Sequence, residues 1–273
     1  MPYASTPDGI RLYYRESGSG EPLLLIHGQA ANHQSWEPVV GDFAARHRVI
    51  AYDHRGTGES DRPMSPPYST RGFAADAVAV LDHLGIERAH AYGVSMGGRI
   101  CQWLGIDHGS RIGALVLGCT TPGDAHGVKR PAESDWALHE TDPDRRVDLI
   151  FAELYTPAFT RQEPALAATV RASMMEGALP PELIAMHYRC SQDHDAWDSL
   201  PRIANPTLVI HGSDDQLNPT ANAQILAGRI PGAELYLVQG ARHAYHIEFR
   251  AEATSVVLDF LARHPIMRAS ETA

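Results

Sequence analysis

The chain has 273 residues, a formal charge of −10, 44% apolar residues and 21% charged residues. That length buries a sizeable core and suits one α/β domain carrying an insertion better than two equal domains. The acidic balance disfavours a nucleic-acid partner, which needs a basic face, and no apolar run approaches the length of a membrane span.

Asp8-Gly9 separates residues 3–6 from residues 10–15, where Ile10, Leu12 and Tyr14 alternate with their neighbours, and reads as a hairpin turn. Gly18-Ser19-Gly20 is a loop. Residues 22–26 are wholly apolar, as a strand covered on both faces should be, and they end at His27-Gly28-Gln29-Ala30-Ala31. A helix is expected from about Ser35, with Trp36 and Phe43 inward. Residues 48–52 form the next strand and run into a turn rich in Gly and capping residues, Asp53 to Ser60. Phe73, Ala77, Val80, Leu81 and Leu84 recur at helical spacing over residues 71–84, and Gly85 stops that helix.

Residues 89–94 are another strand, followed by Gly93-Val94-Ser95-Met96-Gly97, a G-x-S-x-G pentapeptide that opens a helix-like segment over residues 99–107. A strand that turns sharply into a helix at such a pentapeptide lifts the serine Oγ out of the sheet. A side chain at either glycine would crowd that turn. The pattern alone does not separate a nucleophile from a bystander serine in a Gly-rich turn. Residues 112–117 are a buried strand ending at Gly118-Cys119-Thr120-Thr121-Pro122. Strands alternating with helices imply a parallel sheet with both faces covered, whose ligands bind at the carboxyl ends of the strands.

The texture then changes. Residues 122–201 show no strand-like run and carry Pro131, Pro143, Pro157, Pro164, Pro180 and Pro181 between helical stretches at residues 145–154, 165–175 and 181–190. This reads as a helical cap or lid inserted into a core made of residues 1–121 and 202–273, since it is too long for a crossover. The α/β pattern resumes with a strand at residues 206–210, ending at His211-Gly212-Ser213-Asp214-Asp215. A helix over residues 222–227, a last strand over 233–238, Gly240-Ala241-Arg242-His243 and a closing helix over 251–261 complete the chain. The tail after Pro265 reads as frayed.

Three cysteines, Cys101, Cys119 and Cys190, are odd in number and widely spaced, which is neither a disulfide framework nor a zinc pattern. They read as small core residues in a reducing compartment, the cytoplasm. The chain start has no basic n-region and no apolar h-region, so no signal peptide is expected. None of the 15 histidines forms H-E-x-x-H or a Cys/His cluster, so no metal ligand is assigned and no cofactor is implied.

A serine at its free pKa is a poor nucleophile and needs a base in contact. Histidine suits a proton shuttle near neutral pH, and an acceptor must fix its tautomer. Ser95, then Asp215 just past a strand, then His243 just past the last strand supply nucleophile, acid and base at strand carboxyl ends. Asp214 is the rival acid and reads as an exposed turn carboxylate.

Here the chain resembles the α/β-hydrolases. The marks are H-G at His27-Gly28, R-G-x-G-x-S at residues 55–60, G-x-S-M-G-G at 93–98, G-x-x-D-x-x-x-P at 212–219 and G-x-x-H-x-x-x-x-E at 240–248. Each is modest alone, and together, in order and at strand ends, they are specific for the superfamily and not for a substrate. The resemblance implies an α/β-hydrolase fold, a mostly parallel sheet flanked by helices. The chain order Ser…Asp…His is that of the family. Some members carry the acid after the preceding strand, where this chain has Cys119-Thr120-Thr121 and no carboxylate. The resemblance also places an oxyanion hole at two backbone N–H groups, Met96 after the nucleophile and Gln29 after His27-Gly28. The Gln29 side chain either adds a polar contact or faces solvent. His33 and His54 read as loop packing or surface residues, His246 as packing, and Arg55 as a tie between its turn and neighbouring strands.

Trp136, Tyr155, Met174, Met175, Tyr188 and Trp197 either line an apolar pocket under the insertion or pack its helices together. The texture around S-M-G-G, Y-T-P and W-D-S-L-P is similar to 3-oxoadipate enol-lactonases and small esterases. The expected activity is therefore serine-dependent hydrolysis of a small-molecule carboxylic ester or lactone. A carbon–carbon bond hydrolase of meta-cleavage products would use the same triad, and a small-molecule receptor could retain it for binding. Gln29 departs from the Trp of cofactor-free perhydrolases. Ser95 disfavours the aspartate-dependent dehalogenases and epoxide hydrolases.

Overall fold

A computed structural model describes residues 2–65, 68–130, 140–177 and 179–266. The apolar runs become strands β1 (Tyr3–Ser5), β2 (Arg11–Ser17), β3 (Glu21–Ile26), β4 (His47–Tyr52), β5 (Ala89–Val94), β6 (Ile112–Gly118), β7 (Thr207–Gly212) and β8 (Glu234–Val238). They form one sheet in the order β1-β2-β4-β3-β5-β6-β7-β8. β2 runs antiparallel to β1 and β4, and every later pair is parallel. Every residue of β5, β6 and β7 is buried, which is why these runs lack alternation.

Helices cover both faces: α1 (Glu37–Ala44) and the closing helix on one, α2 (Thr70–His83) and α3 (Met96–Asp107) on the other. Trp36 and Phe43 both point inward at 1% exposure. β4 lies on one side of β3 and β5 on the other, so the strand order reverses between β3 and β5. The crevice at such a switch point, outside the strand carboxyl ends, is where open α/β sheets bind ligands. Ile26 pairs with Gly93 in register, so the segment after β3 and the residue after β5 leave the sheet side by side.

Among the described residues between β6 and β7 the chain forms four α-helices, α4 (Pro143–Leu154), α5 (Pro157–Gln162), α6 (Pro164–Glu176) and α7 (Pro181–Gln192). Each begins on a proline, whose fixed φ and missing N–H suit the first helical position. The prolines therefore start helices as well as separate them, and α5 is one that periodicity did not reveal. The insertion is tied down on two sides. On one, His187 Nε2 lies 3.2 Å from the Arg55 carbonyl, and His194 bridges Thr70 Oγ1 at 2.9 Å and Gln102 Oε1 at 3.1 Å. On the other, Ala244 N donates to Leu154 O at 2.9 Å and Thr156 N donates to Glu248 Oε2 at 2.9 Å. Helices α8 (Ala221–Arg229), α9 (Tyr245–Glu248) and α10 (Arg250–Ala262) complete the chain. No described helix is long and apolar enough to cross a membrane.

Arg55 ties its turn to α2 and to the β1–β2 turn, not to strands. Its guanidinium meets Asp76 at 2.6 and 2.7 Å and Asp8 at 2.8 Å. The Asp76 side chain is only 4% exposed, so losing Arg55 strands a buried carboxylate. Arg55→Ala should cost roughly 3–5 kcal/mol of unfolding free energy in urea titration, whereas Arg55→Ala/Asp76→Leu should recover part of it. Equal losses in the two variants would show that the ion pair is not what holds the turn.

Candidate active site

Ser95 is the hinge between β5 and α3. Its backbone sits at φ 57° and ψ −118°, a conformation costly for a residue with a side chain. The strain is held by its surroundings: Ser95 N donates to Gly118 O at 2.8 Å, and Thr120 Oγ1 donates to Ser95 O at 2.8 Å. A Cβ at Gly97 would run into the Ile26 carbonyl, and one at Gly93 into the Gly97 carbonyl. Only a glycine at each position lets the first turn of α3 close over the ends of β3 and β5.

Three non-glycine residues have positive φ among those described: Ala30 at 55°, Ser95 at 57° and Cys119 at 39°. They follow β3, β5 and β6, three strands that neighbour one another at this edge. A Cβ built on Gly28 would lie 3.3 Å from Ser95 Cβ, so the segment carrying Gln29 and Ala30 stands directly against the serine. Met96 is the first residue of α3, where backbone N–H groups have no intrahelical acceptor. Gln29 is half-buried beside it.

Asp215 and His243 are brought together as the motif spacing implied. His243 Nδ1 lies 2.8 Å from Asp215 Oδ2, with the two residues 5% and 1% exposed. The other carboxylate oxygen, Oδ1, accepts the backbone N–H groups of Leu217 and Asn218 at 2.9 and 3.0 Å. Burial alone would raise the Asp215 pKa, but His243 and His211 outweigh it and hold the carboxyl well below its ordinary range. Burial would likewise lower His243, and it is overcome by the Asp215 carboxylate and by the Cys119 thiol, which leave its pKa well above the ordinary histidine value. An anionic Asp215 accepts a proton and cannot donate one, so the network assigns the Nδ1–H tautomer to neutral His243 and leaves Nε2 unprotonated.

Asp214 is exposed and bonded to Ser213 Oγ at 2.8 Å, so it is not the partner of His243. His33 and His54 are buried rather than surface residues. His33 N and Nδ1 meet Asp53 Oδ1 at 2.7 and 2.9 Å, and His54 packs tilted against His27 with ring centroids 3.9 Å apart. His246 packs against Trp36. Tyr155 is buried between Phe151 and Phe159, each ring 4.6 Å away, and its carbonyl accepts from Arg242 at 3.2 Å. The Trp197 ring is stacked 4.7 Å from His126, with the Arg229 guanidinium 4.6 Å from its centre. Met174, Met175 and Tyr188 are half-buried. Trp136 lies outside the described residues.

Sequence reasoning overlooked His211 and the roles of Ala30 and Cys119. A histidine four residues before the acid was a visible signal for the first; positive φ at Ala and Cys has none. Among the described residues no group of three or more His, Cys, Asp and Glu side chains is arranged to hold a metal ion.

An open sheet with a strained serine at its switch point and an Asp–His pair at neighbouring strand ends is the arrangement of an α/β hydrolase. Residues 21–249 match the family described as alpha/beta hydrolase fold, and the chain belongs to it. It is 31% identical to a putative carbamate hydrolase, RutD, of Azorhizobium caulinodans over 90% of this chain and 92% of that one. It is 30% identical to 2-hydroxymuconate semialdehyde hydrolase of Pseudomonas putida over 93% of this chain and 92% of that one. The crystal structure of the enol-lactonase from Burkholderia xenovorans superposes with a TM-score of 0.84 at 26% identity, covering 96% of this chain and all of that one (100%). The protein is a hydrolase of this family, acting on small molecules.

Burial pushes His27 and His187 down to about 4 and His246 down to about 3, and it holds His54 and His194 well below the ordinary value. These imidazoles are neutral in the folded chain, while the unfolded chain protonates them below about pH 6.5. Folding stability should therefore fall as pH drops from about 6.5 toward 4. His243, whose pKa is raised, adds stability that is already complete below about pH 6.5 and so does not offset this loss. Calorimetric Tm should decline over that range, and His187→Phe should flatten the decline. A Tm independent of pH between 7 and 4.5 would contradict the buried-neutral assignment.

Proposed function

We propose that the protein hydrolyses carboxylic esters or lactones through an acyl-enzyme on Ser95. The observation that carries this reading is the strained Ser95 standing against the Gly28–Gln29 segment, at the same sheet edge as the Asp215–His243 pair. In the proposed sequence His243 Nε2 takes the Ser95 hydroxyl proton as Oγ attacks the carbonyl carbon. The oxyanion is met by the N–H groups of Met96 and Gln29, which are fixed before the charge develops. The imidazolium stays paired with Asp215 and returns its proton to the departing oxygen, which leaves as an alcohol or, from a lactone, stays tethered as the ring opens. Water then attacks the acyl-enzyme with His243 again as base.

In this reading the inserted helices roof the crevice and set substrate choice without supplying a triad member. Their attachment beside His243 through Leu154 and Thr156 supports that placement. The enol-lactonase likeness supports an ester-type carbonyl. One observation favours a second reading: the 30% identity to a 2-hydroxymuconate semialdehyde hydrolase makes carbon–carbon cleavage of a vinylogous diketone the alternative for the same triad. Turnover on a panel of esters, lactones and vinylogous diketones separates the two, and multiple turnovers on any of them set aside a receptor that only binds.

Ser95→Ala should lower kcat by several orders of magnitude, with Tm retained and fluorophosphonate labelling abolished. Near-normal kcat in this variant would end the acyl-enzyme reading.

The base must be neutral to act. Since Asp215 and Cys119 leave His243 above its ordinary value despite burial, kcat/KM should rise along one acidic limb whose midpoint lies above about 6.5. A midpoint below about 6, with chemistry rate-limiting, would show that another group serves as base.

A further inference from the structure

His211 is the penultimate residue of β7, fully buried, four residues before Asp215. Its Nε2 lies 2.8 Å from the Asn218 carbonyl and 3.1 Å from Asp215 Oδ2. Both neighbours are acceptors, so Nε2 must carry the proton and share it between them. Nδ1 is buried without any partner. A proton there would be an unpaired buried donor, so the network assigns His211 as a neutral Nε2–H tautomer. Asp215 Oδ2 is thus the acceptor for two imidazoles, His211 and His243, while Oδ1 takes two backbone N–H groups.

We infer that His211 is a positioning residue for the reaction: its shared Nε2–H fixes Asp215 Oδ2 in the plane His243 needs and divides the charge of that oxygen between two imidazoles. This rests on the proposed roles of Asp215 and His243. The reasoning is electrostatic. A carboxylate oxygen that already accepts one N–H offers less negative charge to a second. His211 therefore limits how strongly Asp215 stabilises the His243 imidazolium, and keeps the base from being trapped in its protonated form. It also removes a freedom, because Oδ2 held from two sides cannot rotate away from Nδ1 of His243. The other groups near the pair are the Cys119 thiol after β6 and His246 on α9, held neutral by burial, which face His243, and the Tyr245 hydroxyl, which faces Asp215 and bonds to Tyr92 at 2.9 Å. None of them reaches Oδ2 within hydrogen-bond distance, so none can replace His211.

The test compares the full-length protein with His211→Leu, which removes the N–H, and His211→Gln, whose amide nitrogen can take the place of Nε2. The probe is p-nitrophenyl acetate. His211→Leu should lower kcat roughly tenfold at neutral pH, leave KM within about twofold, and move the acidic limb of kcat/KM upward by about half to one pH unit. His211→Gln should restore both the limb and kcat. A folded His211→Leu protein whose limb coincides with the parent's overturns the inference, as does a lowered kcat that His211→Gln does not recover. Imidazole ¹⁵N NMR of the unsubstituted protein adds a test that needs neither variant to be active, with the His211 signal assigned by its loss in His211→Gln. The neutral His211 ring should read as Nε2–H, and an Nδ1–H tautomer overturns the inference. The failure of the acyl-enzyme reading would appear separately, as persistent labelling of Ser95→Ala.

Discussion

The site depends on how closely the first turn of α3 approaches the ends of β3 and β5. Gly97 lies so near the Ile26 carbonyl that no side chain fits between them, and Gly93 is as tight against Gly97. That approach forces Ser95 to a positive φ, which lifts its side chain from the sheet. It also brings the start of a helix, with unpaired N–H groups, beside the segment that leaves β3. One packing constraint thus sets Ser95 and both N–H groups proposed as oxyanion donors. Parallel register between Ile26 and Gly93 puts the two chain exits at the same height. The chemistry proposed for this edge needs that spacing before it needs any particular side chain.

Strain of this kind persists only where neighbours over-determine it. Ser95 is fixed through its N–H by Gly118 and through its carbonyl by Thr120, and Cys119 is fixed through its N–H by Ile210 at 3.0 Å and through its carbonyl by Asn218 Nδ2 at 2.6 Å. Asn218 is itself bound to Asp215 Oδ1 through its backbone N–H and to His211 through its carbonyl. The strained residue after β6 and the carboxylate after β7 therefore share a single asparagine. The site is a lattice of hydrogen bonds between adjacent strand ends, closed by β5, β6 and β7 being neighbours in the sheet.

Most of the fold was legible in the sequence because buried parallel strands write themselves as unbroken apolar runs and the elbow writes itself as glycines. Ser95, Asp215 and His243 could be ordered because each ends such a run, and Asp214 could be set aside because its spacing from Gly212 and Pro219 was wrong. What stayed hidden depends on direction rather than on type. Trp197 is an aromatic residue near the end of the insertion, as a pocket wall would be, yet its ring lies between His126 and Arg229. For His33 and His54 the sequence left packing and exposure both open, because polarity in a loop does not decide between them. Here Asp53 holds one, and the other is stacked on Phe73 and packed against the His27 ring. The prolines of the insertion marked breaks correctly but concealed α5, which is too short to show a period.

The attachment of the insertion bears on how the site can vary. The corner between α4 and α5 bonds to Ala244, the residue after His243, and Arg242, the residue before it, donates to the Ala152 and Tyr155 carbonyls. Glu248, four residues further on from Ala244, holds Thr156 by its N–H and its hydroxyl. The loop that carries the proposed base is thus braced by the same helices that would wall the substrate. A change in Tyr155, packed between Phe151 and Phe159, acts on that corner and through it on the backbone either side of His243. In the proposed reading, selectivity and basicity are mechanically coupled at this corner. They are independent at the opposite anchor, where His187 and His194 meet α2, α3 and the Arg55 turn on the far side of the elbow. Variation that leaves the chemistry intact has more room at that second anchor than at the first.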